Sequence, residues 1–136
     1  MSRVLFRWLP AILIMAAIFF FSSIPSKEMP IFGGWDTIVK KGGHMLGYAL
    51  LGFSYLRVIN SRNRWAYWAA VMAVVIYAIT DEFHQSFVPG RNSSLVDVGI
   101  DTVGASLGMI VLRAIHGLQR IVFLKMPGTI DDTGSE

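Results

Sequence analysis

Charged positions along this chain come in clumps, and between them lie four stretches with none: residues 8–25, 42–56, 65–80 and 102–112. Each is shorter than the roughly 20 residues an ideal membrane-crossing helix uses, so polar helix ends are expected within the bilayer or its interface. The first stretch contains AILIMAAIFFFSS, apolar on every side, with no helical stripe that could turn toward water. This pattern predicts an all-α fold, an integral membrane bundle of four transmembrane helices. Pro10 is expected in the first turn of the first helix, where a missing N–H does no harm.

Composition agrees with lipid. Hydrophobic residues make up 54% of the 136 residues, and the mean hydropathy is +0.54, more than a small soluble core needs. The net charge of +3 would suit nucleic acid, but the bases sit at the ends of the apolar stretches, so no nucleic-acid partner is expected. Arg3, Arg7, Arg57, Arg62, Arg64, Arg113, Arg120 and Lys125 fall on one side; Lys27, Lys40, Lys41 and Arg91 fall on the other. Eight against four places both termini in the cytoplasm, with Trp8, Trp65 and Trp68 at the inner interface. No A-x-A-like cleavage site follows the first stretch, which reads as a retained anchor over residues 1–25 rather than a signal peptide. Cysteine is absent, which removes disulfides, thiolate catalysis and Cys-ligated zinc. Residues 113–136 form a third region, a basic amphipathic continuation of the fourth helix and a turn-rich, acidic tail expected to be disordered.

The chemistry concentrates in DEFHQSFVPGRNSSLVDVGID, residues 81–101. Asp97 and Asp101 stand one helical turn apart, with Gly104 and Gly108 continuing their stripe. Ser94-Leu-Val-Asp97 has the form of a capping box, which could account for Asp97. Asp101 lies beyond capping range, where an uncompensated charge near hydrocarbon costs about 2.5–3.5 kcal/mol, so it needs a partner or a proton. On the preceding helix Tyr77, Asp81, His84 and Gln85 share a face, and Glu82 points toward a neighbour. The second helix carries His44 and Tyr48 one turn apart, at the depth of Asp81 and Asp101, and Gly43 and Gly47 form a small-xxx-small pair. Val88-Pro89-Gly90 reads as a turn presenting Arg91, either to neutralise Asp97 or Asp81 or to offer a guanidinium to an anionic ligand.

These residues resemble a known family. KKGGHMLGYALLG followed by DEFHQSFVPGRNSSLVDVGIDTVGASLG is similar to the VanZ-like family of small bacterial membrane proteins over residues 36–112, through Lys41, His44, Tyr48 and Gly52 and then Asp81 to Gly108. Met45 stands where an aromatic often follows the histidine. The resemblance implies a bacterial plasma-membrane location and, through the family's named member, an association with teicoplanin resistance.

Three functions compete. A binding or envelope-modifying protein would use Lys41, His44, Tyr48, Gln85, Arg91 and Asp97 to hold an anionic lipid or cell-wall precursor head group. An outer-leaflet hydrolase or transferase would use Asp81, Glu82, His84 and Asp101 as candidate catalytic groups. A proton-coupled carrier would need oligomerisation, for which the glycine-rich helix faces offer a route to a homo-oligomer. No cofactor is expected; in the metal alternative His44, His84, Asp81 and Asp101 would ligate zinc or manganese.

Overall fold

The computed structural model describes residues 2–59 and 64–125. They form four helices, α1 (Ser2–Ser22), α2 (Asp36–Ile59), α3 (Arg64–Gln85) and α4 (Leu95–Lys125), with a short 3-10 turn at Gly33–Trp35 and no strand among the described residues. The expected acidic tail falls at 126–136, outside the described residues. The basic stretch after Arg113 continues α4 without a break to Lys125. At 31 residues that helix is about 46 Å long, which exceeds a hydrocarbon core of about 30 Å.

Three helices are long and apolar enough to cross a membrane, through Leu5–Ser22, Arg64–Gln85 and Leu95–Gln119. Their large side chains point outward: Phe20, Ile76, Phe83 and Ile110 are all more than half exposed. Such a surface suits lipid, because water would expel so large an apolar area. The fourth expected span, on α2, falls short in apolar content. α2 touches α1, α3 and α4, and its buried face carries Tyr48, Leu51, Gly52, Ser54, Tyr55 and Leu56. Its other face still presents Ile38, Leu46 and Leu50 outward, each at least half exposed.

The most extensive contact joins α2 to α4, which run parallel. Small residues make it possible. A Cβ on Gly104 would strike the carbonyl of Met45, one on Gly108 the carbonyl of Ala49, and one on Gly52 the backbone of Ala105. Backbone therefore lies on backbone, the close approach that glycine permits between membrane helices. The sequence-based pair Gly43 and Gly47 takes no part in this seam: Gly43 has open space before it, and Gly47 receives Ile18 of α1. Gly104 and Gly108 are thus both used within the chain.

One further expectation changes. α1 begins at Ser2, so Pro10 lies inside the helix instead of in its first turn, and the Phe6 carbonyl lacks its usual N–H partner. α2 begins at Asp36, after the 3-10 turn, which makes Lys40 and Lys41 helical. Asp36 and Lys40 form an i,i+4 ion pair at 2.7 Å, and the Lys40 ammonium holds the Asp36 carboxyl below its usual range.

Candidate functional site

The alternating direction of the helices brings the C-terminal ends of α1 and α3 together with the N-terminal ends of α2 and α4. Lys41, His44, Tyr48, Asp81, Glu82, Gln85, Arg91, Asp97 and Asp101 lie at this end of the bundle.

Asp81 is the best-connected of them. Its Oδ2 accepts from Ser22 Oγ at 2.9 Å, from Gln85 Nε2 at 3.2 Å and, more weakly, from the Tyr48 hydroxyl at 3.4 Å. Gln85 Nε2 also reaches Ser22 Oγ at 3.2 Å. The helical i,i+4 spacing of Asp81 and Gln85 puts both on the face toward α1 and α2, which explains why one oxygen gathers donors from three helices. His44 stands between two acids, with Nδ1 at 3.8 Å from Asp101 Oδ2 and 4.0 Å from Asp81 Oδ2. Both carboxylates are 2% exposed. Asp81 Oδ1 and Asp101 Oδ2 have no hydrogen-bond partner, a costly state for buried acceptors.

Above this buried layer lies a cavity of about 430 Å³, open on one side. Its lining includes Lys40, Lys41, His44, Glu82, Gln85, Arg91, Asp97 and Asp101. Lys41 bonds to Asp97 across the α2–α4 seam. Asp97 is thus a half-buried ion-pair partner at the rim, while Asp101, one turn along α4, is enclosed. Tyr48 and Asp81 are buried behind the cavity and do not line it.

The capping box resolves differently from its sequence form. Ser94 Oγ accepts from the Val96 N–H at 3.1 Å, as an N-cap serine does. The Ser94 N–H donates to Glu82 Oε2 on α3, at 2.8 Å, and not to Asp97. Glu82 therefore serves a neighbouring helix, as its direction on α3 predicts.

Arg91 likewise has unexpected partners. Val88 to Arg91 form a turn closed by the Arg91 N–H on the Val88 carbonyl at 3.1 Å, with Pro89 second and Gly90 third at φ +76°. That positive φ is the type II requirement that glycine meets without strain. The turn aims Arg91 at the end of α1, where it donates to the carbonyls of Phe21 at 2.6 Å and Ile24 at 3.2 Å. The Phe21 carbonyl, in the last turn of α1, also accepts from the Ile24 N–H at 3.4 Å, and Ile24 lies just past the helix end. Neither Asp97 nor Asp81 is its partner.

His84 stands apart. Its ring stacks on Phe19 at 4.2 Å, and Nε2 lies 3.0 Å from Ser23 Oγ, so it faces α1 and does not join the His44 cluster. Among the described residues no group of three or more histidine, aspartate and glutamate side chains could hold a metal ion. Ser22, which no sequence motif marks, closes the Asp81 network from α1. Its only signal is a pair of serines ending a run of phenylalanines.

Fold and site together define a protein whose described residues are helical without strands, with three helices among them long and apolar enough for a membrane and the buried carboxylates gathered at one end. A family model described as VanZ/LLP1 matches residues 6–116, and the chain belongs to that family. The matched region is wider than the motif-bearing residues 36–112 and takes in most of α1, in keeping with the bond from Ser22 to Asp81. No curated protein and no solved structure matches the chain.

Proposed function

We propose that this VanZ-like membrane protein sits in the bacterial plasma membrane with α1 to α4 all crossing it, both termini in the cytoplasm and the cavity open to the outer leaflet. There it binds or modifies the phosphate-bearing head group of a lipid or cell-envelope component. The cavity carries this reading: about 430 Å³ falls within the range of small-ligand sites, and Lys40 and Lys41 stand at its rim above the buried His44–Asp101 pair. The excess of bases on the opposite side supports the orientation. Occupation of a cell-wall precursor at this site would be the route by which such a protein contributes to glycopeptide resistance.

A second reading, an outer-leaflet hydrolase or transferase, rests on His44 alone. An imidazole that lines a cavity with buried carboxylates behind it resembles a general base with its orienting acid. One experiment addresses both readings: mass spectrometry of bacterial envelope lipids incubated with the protein in nanodiscs, comparing wild type, Asp101→Asn and Asp97→Asn. Selective retention of one lipid class by wild type, lost more completely in Asp101→Asn than in Asp97→Asn, is the expected result. A chemically altered lipid formed only with wild type would establish the enzyme instead. Equal, mild effects of the two substitutions would count against the cavity as the site.

A further inference from the structure

The charges around the cavity say more about its ligand than the presence of lysines does. Its lining holds three permanent cations, Lys40, Lys41 and Arg91, and the titratable His44, against four acids, Asp36, Glu82, Asp97 and Asp101. Each permanent cation already faces a protein acceptor: Lys40 faces Asp36, Lys41 faces Asp97, and Arg91 faces two carbonyls at the end of α1. A purely anionic ligand would therefore meet no excess of positive charge. Deeper in, the need is of the opposite kind. Asp101 lines the cavity, is 2% exposed, and leaves Oδ2 without a donor. His44 Nδ1, at 3.8 Å, is too distant to supply one.

We propose that the cavity takes a zwitterionic amino-phosphate head group of the ethanolamine phosphate class, with its primary ammonium directed to Asp101 and its phosphate at Lys41. This deepens the head-group reading above and rests on it. An ammonium has three N–H donors, and one of them gives Asp101 Oδ2 the charge-assisted bond it lacks. The Lys41 ammonium also has three, of which Asp97 need occupy only one, so the phosphate can be held without breaking the rim pair. Lys41 and His44 are i,i+3 on α2, and Asp97 and Asp101 are i,i+4 on α4. Rim and floor are thus about one helical turn apart, about 5.4 Å, which suits a two-carbon link between phosphate and amine.

The test is native mass spectrometry of protein released from nanodiscs of equimolar phosphatidylethanolamine, phosphatidylglycerol and phosphatidylcholine. Wild type is expected to retain phosphatidylethanolamine roughly tenfold over both others, since glycerol lacks the ammonium and trimethylammonium lacks N–H donors. Asp101→Asn is expected to erase that preference, and Asp97→Asn to leave most of it. Soluble glycerophosphoethanolamine is added as a competitor: displacement assigns the site to the ester alone, while failure to displace assigns it to the intact lipid, and the proposal stands either way. Phosphatidylglycerol retained at least as strongly as phosphatidylethanolamine, with loss in Lys41→Gln, would overturn the amine assignment and leave the head-group reading intact. Retention of none of the three above its bulk share would remove both. The wild-type order among the three lipids decides the question even if Asp101→Asn fails to fold.

Discussion

The α2–α4 seam has two halves built on different principles. In one, Gly52, Gly104 and Gly108 let backbone meet backbone, and the contact is specified by shape. In the other, Lys41 meets Asp97 and His44 meets Asp101, and the contact is specified by charge. The halves are not independent. The parallel helices must approach closely at the glycines before a histidine on one and a buried aspartate on the other can face each other. Glycines in the apolar half thus set the geometry that the polar half uses, although they carry no chemistry themselves.

The largest effect is expected from the shape-specified half. Gly108→Val places a Cβ on the Ala49 carbonyl, and backbone cannot yield as a side chain can, so a loss of about 3 kcal/mol or more is expected in detergent unfolding. Gly99→Ala on the same helix, with nothing before it, should leave the midpoint unchanged. A tolerated Gly108→Val would show that the seam is looser than its geometry implies. Next comes Asp81→Ala at the polar end, which strips the acceptor from Ser22, Gln85 and Tyr48 and should cost about 2–3 kcal/mol in the same unfolding measurement. Asp81→Asn keeps an acceptor oxygen and should lose less.

A smaller effect separates the two acids that compete for the start of α4. Glu82→Ala should destabilise by about 1 kcal/mol and speed amide hydrogen exchange over the first turn of α4, because Glu82 holds the Ser94 N–H. Asp97→Ala should leave exchange at Ser94 unchanged; if it matters as much, the sequence form of the capping box is right after all. The smallest effect belongs to Asp36, partly exposed at the start of α2. Its carboxyl is held low, chiefly by the hydrogen bond from Lys40, so the folded state binds this proton less readily than the unfolded one. The pair's contribution is then complete above the usual carboxylate range and fades as pH falls through the depressed value. A comparison of Asp36→Asn with wild type should show a small difference at neutral pH that disappears in acid and in high salt.

Much of this was legible in the chain. The four charge-free stretches locate the four helices, because apolar runs of that length have few other places to go. The depth difference between Asp97 and Asp101 follows from helical spacing, and the turn at Pro89-Gly90 follows from local sterics. Partners were legible only where one helix supplies both groups, as with Asp36 and Lys40, since a 3.6-residue period fixes neighbours along one helix and says nothing about rotation between two. Tertiary structure alone decided that Glu82 and not Asp97 caps Ser94, that Arg91 goes to the end of α1, and that His84 turns away to Phe19. It also brought Ser22 from an otherwise apolar helix to Asp81. Each of those contacts joins residues that only the packing of separate helices brings within reach, and that packing depends on which glycines meet which carbonyls.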